Sequence, residues 1–434
     1  MEEIFLHYLW KLQYYDHTSL YTDCGQKLEI ISKGFYNEHA GPDFSFAKVR
    51  IGSLTWVGHV EIHIKTSDWK AHQHHKDPAY DNVILHVVWE NNRVKVNTSQ
   101  GDIPPVLSLK ERVPEHVLQN YAYLLQTQLE IPCASRFSQV PSIYKTFMQE
   151  KALYERLERK TLLIKNTLLT QKNDWEQTTY MLLMEAMGFK KNAALFKRLA
   201  HILPYKILLK QAQLIQVEAL LFGQAGFLEE SKVSDVYYKK LQKEYVYLAS
   251  KFKLKKKSIK QSEWHFMRLR PMNFPTLRIA QIASILFKHR KLLNYFESFA
   301  GNSPQKLFEN TVQATYWQTH YHFGKKYPKK LSFIGSASKE SILINVIAPL
   351  LVARASHLGS EDVFGKAVEL LQNIKGEKNG ILNKWENLGL KANSAYASQS
   401  IIELNNEYCT QKRCLDCSIG NHLLKENHYS RSEY

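Results

Sequence analysis

The chain has no G-x-x-x-x-G-K-[ST] loop, so a P-loop ATPase is not expected. It also lacks G-x-S-x-G, and with it the nucleophile elbow of the serine hydrolases. The Gly-Ser run FIGSASKES reads instead as a helix start capped by Ser336 or Ser338. No stretch reaches the ~18 uninterrupted apolar residues of a membrane span. The first fifteen residues, MEEIFLHYLWKLQYY, begin acidic and carry Lys11 inside their apolar run, unlike a signal peptide. A cytoplasmic location with no membrane partner is the expectation. Cysteine is scarce. The five residues Cys24, Cys133, Cys409, Cys414 and Cys417 do not make a disulfide framework in a reducing compartment. Internal repeats and low-complexity linkers are absent as well.

What remains is a globular composition, 44% hydrophobic and 23% charged, over 434 residues, enough for two or three domains. The charge is uneven. Residues 1–140 hold 13 Lys and Arg against 16 Asp and Glu, whereas the whole chain is +17. Everything after residue 140 therefore carries roughly +20. A basic body beside an acidic, His-rich head points to a polyanion held by one part and processed by the other. Lysines on ordinary solvated faces would give the same count.

Residues 1–15 have helical spacing, with Ile4, Phe5, Tyr8, Leu9 and Leu12 on one face. KLEIISKGFYN, FAKVRIG, LTWVGHVEIHI and NVILHVVWE are short β-branched and aromatic runs between Gly, Pro, Asn and Asp, which predict strands. The intervening KTSDWKAHQHHKDPAYDN makes a crossover, and DIPPVLSL an edge strand, since its prolines exclude a central position. This predicts a small α/β domain over residues 1–135. From Ser142 to about Ile402 the apolar spacing is helical throughout, so the fold class is α+β with a large all-α region. The densest basic run, KFKLKKKSIK, places Lys253, Lys255, Lys256, Lys257 and Lys260 together. RLRPMNFPTLR adds Arg268, Arg270 and Arg278 near a helix start. These are candidate phosphate-binding residues; a solvated loop between helices is the competing reading.

Alternate residues of a strand share a face. In WVGHVEIHIK one side carries His59, Glu61, His63 and Lys65, while Val60, Ile62 and Ile64 form the apolar side. The crossover adds Asp68, His72, His74, His75 and Asp77, and His86 interrupts the next strand. Six of the 18 histidines thus fall between residues 59 and 86. A divalent ion used for phosphodiester hydrolysis needs hard oxygen ligands, plus a polar group to orient water or steady the charged transition state. Asp43, opening one strand, and Glu61, midway along the next, can supply those oxygens if the strands are adjacent.

Pro42-Asp43, 17 intervening residues and Glu61-Ile62-His63 resemble the motif of the PD-(D/E)XK nucleases, with His63 where lysine is usual. The order helix, three strands, crossover, strand resembles that family's core. The resemblance implies a restriction-endonuclease-like domain in which Asp43, Glu61 and the Ile62 carbonyl hold Mg²⁺ or Mn²⁺. It gives His63 the lysine's role, with Lys65 as a fallback. A histidine there is neutral over much of the physiological range, which implies retuned chemistry or a degenerate nuclease. A longer resemblance, carried by AGPDFSFAKVRI, GHVEIHIKTSDW, AYDNVILHVVW, EALLFGQAGFL, RLRPMNFPTLRIAQIA and YCTQKRCLDCSIG, is to an uncharacterised bacterial family best known from Bacteroidetes, and implies no activity.

The segment 403–434 contains C-x4-C-x2-C, a spacing suited to a metal held by thiolates. A closed site needs a fourth ligand. His422 is the local choice, and Cys133 the distant one, which would dock the C-terminus on the α/β domain. One upstream and three downstream cysteines also resemble the iron–sulfur arrangement of some helicase-nucleases, so Zn²⁺ and a 4Fe–4S cluster both remain open. Uncomplexed buried thiols are the alternative to either metal.

Three functional expectations follow. The first is a divalent-metal-dependent nuclease or nuclease-like DNA-processing protein, with nucleic acid, DNA ahead of RNA, as its partner. The second is a non-catalytic nucleic-acid-binding or scaffold protein that has kept the fold. The third is a zinc-dependent hydrolase using His59, His63, His72, His74 and His86.

Overall fold

The computed structural model describes residues 2–37, 39–229, 235–254, 258–299, 306–328 and 333–427. The fold is mixed: a sheet-containing N-terminal region followed by a mostly helical one. Two compact units emerge where the sequence predicts three segments. The first is Met1–Met148 together with Asn405–Tyr434, and the second is Gln149–Leu404. The C-terminal cysteine segment is thus part of the first unit.

In the first unit, helix α1 (Glu3–Leu12) buries Phe5, Leu6, Tyr8, Leu9 and Trp10. Its face is rotated from the predicted one, since Ile4 is 55% exposed. The bulky Trp10 takes the core side, and its indole N–H donates to the Lys33 carbonyl. Gln13 closes the helix in a left-handed conformation, returning its N–H to Leu9 and Trp10.

The predicted first strand divides into β1 (Leu28–Ser32) and β2 (Phe35–Tyr36). Gly34 separates them at φ +85°, and a Cβ there would lie 2.7 Å from the Ser45 carbonyl oxygen. Both pair antiparallel with β3 (Phe44–Ile51), which makes a hairpin with β4 (Leu54–Lys65). The crossover contains helix α2 (Asp68–Ala71) and leads to β5 (Val83–Glu90), parallel to β4 with Glu61 opposite His86. Strand β6 (Val106–Ser108) adds to the edge, parallel to β5, directly after the paired prolines. The sheet order is β1-β3-β4-β5-β6, with β2 beside β3.

Period-two alternation is visible in β4: Val60 and Ile62 are wholly buried on one side. The crossover is anchored by Trp69, also fully buried, whose indole N–H donates to the Asn97 carbonyl. Two of its acids are occupied by local structure. Asp68 accepts from the Lys65 N–H at 2.8 Å, and Asp77 from the Ala79 N–H at 2.9 Å. Helix α3 (Glu115–Gln126) follows, and α4 (Ser142–Thr170) carries the chain out of the first unit.

The second unit is a helical body around one apolar core. Its helix Pro275–Lys288 is buried from Pro275 to Leu286 without a break, so no face of it meets water. The strand content the sequence reading missed there is a small hairpin, His320–His322 with Lys325–Lys326. The helical stretch Ser336–Leu358 is long and apolar enough to cross a membrane by length and composition. Its most apolar window is 67% buried inside the protein, as a core helix is. That helix starts at Ser336 with Gly335 as its cap, and Ser338 uses its hydroxyl to accept from Arg278 instead.

Candidate functional site

The hairpin register sets the site. Phe44, the first residue of β3, pairs with Val60, so Asp43 stands beside Glu61 and Ile62 just past the end of β3. The two acids interlock. The Asp43 N–H donates to Glu61 Oε2 at 3.1 Å, and the Ile62 N–H donates to Asp43 Oδ2 at 2.9 Å. The N–H and C=O of one strand residue face the same neighbour, so the Ile62 carbonyl faces the Asp43 side as well.

Imidazoles surround the pair. From α1, His7 brings Nε2 to 3.4 Å from Asp43 Oδ2, with Glu3 4.0 Å from the same ring. From the crossover, His74 brings Nε2 to 3.2 Å from Glu61 Oε1, its ring stacked on Tyr80 with centroids 3.8 Å apart. His63 Nε2 lies 3.6 Å from the same oxygen. The His63 ring continues the chain, with Nδ1 2.9 Å from His86 Nε2 and Nε2 3.1 Å from His72 Nδ1. His63, His72 and His74 offer ligating nitrogens mutually within 4.8 Å.

The electrostatics follow from burial. Among the described residues, the ion-pair partners of Asp43 and Glu61 are imidazoles, with no Lys or Arg. Burial first, then the charge of Asp43, pushes the Glu61 carboxyl up to about 9. Burial, then the neighbouring His86, His74 and His72, pushes His63 down to about 2, and burial chiefly takes His86 to about 3. His74 is lowered by burial against the pull of Asp43. At His7 burial opposes protonation, but the adjacent Asp43 carboxylate, with Glu3 and Glu61, outweighs it and raises the pKa. Although His7 Nε2 and His74 Nε2 lie close to carboxylate oxygens, neither has hydrogen-bond geometry, and both are buried without a partner. Close approach without directionality leaves these nitrogens able to act as ligands.

The residues fit a divalent ion. Two adjacent carboxylates, Glu61 buried and Asp43 half-buried, with no strong cation among the described residues to balance them, and a backbone carbonyl on the same side, form a hard-oxygen set for Mg²⁺ or Mn²⁺. The imidazoles add borderline nitrogen donors, which shifts the preference toward Mn²⁺ or Zn²⁺.

Of the predicted residues, Asp43, Glu61, Ile62 and His63 converge, as do His72, His74 and His86. Two do not. Lys65 sits exposed at the end of β4, opposite Glu90. His59 is half-buried edge-on to Phe46, with ring centroids 6.1 Å apart. The sequence reading missed Glu3 and His7. Acid and imidazole one helical turn apart beside α1's apolar face were the available signal.

The basic residues part company as well. Lys253, Lys260, Arg268 and Arg270 are exposed, while Lys255, Lys256 and Lys257 lie outside the described residues. Arg278 is buried, which overturns its reading as a phosphate contact. Its guanidinium donates to Asn273 at 2.7 Å, Gln281 at 3.0 Å and Ser338 at 3.1 Å, over the Phe189 ring at 4.5 Å. A side chain so enclosed and engaged serves packing.

At the cysteine segment, Cys133, Cys409, Cys414 and Cys417 are all buried and Cys24 is exposed. His422 is stacked on Tyr144 at 4.6 Å with Nε2 3.5 Å from Glu426.

No curated protein and no solved structure matches the chain. One protein family does match, over residues 3–380, which takes in the carboxylate pair, the imidazoles of His7, His63, His72, His74 and His86 around it, and Cys133. The chain belongs to that family, described as Protein of unknown function (DUF2851).

Proposed function

We propose that the first unit is a divalent-metal-dependent phosphodiester hydrolase site, and the protein a nuclease or nuclease-like DNA-processing protein. The observation that carries this reading is the interlock of Asp43 and Glu61 beside the Ile62 carbonyl, ringed by imidazoles in place of lysine. The likeness to PD-(D/E)XK nucleases supports it. So does a sheet whose strand β3 runs against β1 and β4 while β4, β5 and β6 run together. Asp43, Glu61 and the Ile62 carbonyl would hold the ion, with His7 and His74 at its margin. A bound ion would supply Lewis acidity and a more acidic water. His63, held neutral by burial and linked to both His86 and His72, would stand in the lysine's place beside Glu61 as a polar, uncharged group that helps orient water. The exposed Lys253, Lys260, Arg268 and Arg270 are the phosphate-binding residues in this reading.

The test is incubation of the full chain with labelled single- and double-stranded DNA and RNA in Mg²⁺, Mn²⁺ or Zn²⁺. Cleavage that Asp43→Asn abolishes, with binding retained, is the expected result. Intact substrates under every ion would sink the enzymatic reading. Salt-dependent binding without cleavage would then favour a non-catalytic protein on the same fold. A zinc-dependent hydrolase is the second reading, favoured by the clustering of His63, His72 and His74. It requires zinc that survives purification and is lost in His72→Ala.

A further inference from the structure

The cysteines outside this site have no part in the proposed hydrolysis, yet they are not scattered. Cys133 starts a short helical turn, Ala134–Gln139, and Cys409, Cys414 and Cys417 come from a segment more than 270 positions later. All four are at most 9% exposed. Burial chiefly, then Cys417 and Cys414, raises the Cys133 thiol, and burial, then Cys133, Cys417 and Cys414, raises Cys409, so the four groups are near enough to interact. Packing small apolar side chains requires burial but not this convergence from two distant segments.

The framework around the four sulfurs is built without them. Asn120 in α3 donates its amide to the carbonyls of Leu424 and Glu426 at 3.2 and 3.0 Å. It accepts from Arg136, three residues past Cys133, at 2.7 Å. One side chain thus ties the Cys133 turn to the C-terminal helix Ser418–Lys425. Ser418, next to Cys417, donates to the Tyr144 carbonyl at 2.8 Å. Lys412 donates to the carbonyls of Leu125 and Thr127 at 2.7 and 3.1 Å. Gly420 allows the closest approach: a Cβ there would fall 2.2 Å from the Cys414 carbonyl oxygen. Two cations, Lys145 near Cys133 and Lys412 near Cys414, would offset thiolate charge.

We propose that Cys133, Cys409, Cys414 and Cys417 are the four thiolate ligands of a closed, structural metal centre in the first unit. The metal is a thiolate-binding one, either a single zinc ion or an iron–sulfur cluster, both of which take four cysteines. His422, engaged by Tyr144 and Glu426, is not a ligand. With every position filled by protein, the centre is a staple that fixes the C-terminal segment. It is independent of the hydrolase reading, and its test does not use activity.

The experiment measures zinc, iron and acid-labile sulfide in full-length protein purified anaerobically, with the visible spectrum. Expected is either iron and sulfide with a broad visible absorption, or one zinc equivalent that His72→Ala retains. In both cases Cys133→Ser or Cys417→Ser removes the metal, and His422→Ala and Cys24→Ser keep it. Should a cysteine variant not fold, the wild-type chain gives a second readout by counting reactive thiols. One, Cys24, is expected before treatment. Four more should react after a zinc chelator or after oxidative disassembly of the cluster. Metal loss in His422→Ala would overturn the ligand set. Protein without either metal, or thiol reactivity unchanged by both treatments, would overturn the centre itself.

Discussion

Asp43 and Glu61 hold each other in place through the backbone. The N–H of one donates to the carboxylate of the other, while the N–H after Glu61 donates to Asp43. Two acids fixed this way cannot swing apart, and Glu61 relieves the repulsion by keeping its proton up to about pH 9, so a cation that takes the proton's place between them should be stabilising. Titration with Mn²⁺ should raise the melting temperature. At a free concentration about 100 times Kd the gain is about 2.7 kcal/mol, read by differential scanning fluorimetry and converted from the shift. Asp43→Ala should remove most of that gain. An equal shift in the variant would place the ion elsewhere.

Arg278 illustrates a basic residue that does not face a ligand. Truncating it leaves the buried Gln281 and the half-buried Asn273 and Ser338 side chains without their donor. Arg278→Ala should cost about 3 kcal/mol in urea denaturation. The salt dependence of any nucleic-acid binding should not change. Lys260→Ala and Arg270→Ala should do the reverse, leaving stability within about 0.5 kcal/mol and lowering the salt slope by about one each.

A pH effect arises inside the second unit, far along the chain from any proposed ligand. Glu218 is 1% exposed and accepts from the Tyr237 hydroxyl at 2.7 Å. Burial, only partly offset by that bond, pushes its pKa up to about 7 from an ordinary 4.5. The folded protein therefore binds this proton more tightly than the unfolded chain does. Its contribution is present in full below pH 4.5 and is lost as pH rises to about 7, up to about 3 kcal/mol. Denaturation midpoints across that window should show Glu218→Gln with a flatter profile than wild type. Parallel profiles would mean the carboxyl is already ionised in the fold.

Asn120 makes a local prediction. Asn120→Ala removes two amide donations to the C-terminal helix and the acceptor of Arg136. The loss should be about 2–3 kcal/mol, concentrated as faster hydrogen exchange over Ser418–Lys425, with the sheet protected as before.

Much of the site was legible one residue at a time. Alternation along β4 put Glu61 and His63 on one face and Val60 and Ile62 on the other, because neighbouring strand side chains point to opposite sides. Asp43 could be tied to Glu61 once a hairpin joined their strands. His7 could not be found this way, since its approach to Asp43 depends on how α1 packs against the sheet. Sequence spacing also misjudged Lys65 and Arg278: face parity says nothing about where a strand meets solvent, and a basic run says nothing about which member points inward. The division near residue 403 lies within two residues of the boundary between Leu404 and Asn405, but composition left open whether the segment after it joins the N-terminal unit, which long-range contacts decide.

Local chemistry therefore determined the elements: which runs are strands or helices, which residues carry acid, imidazole or thiol, and how many lie on one face. Those follow from backbone periodicity and side-chain type, which act over a few positions. Tertiary packing decided the company each group keeps. It gathered imidazoles from α1, β4, the crossover and β5 around one carboxylate pair, buried Cys133 together with the three late cysteines in one unit, and enclosed Arg278 in the core. Such choices depend on desolvation and distance between segments far apart in the chain, and neither quantity exists until the chain has folded.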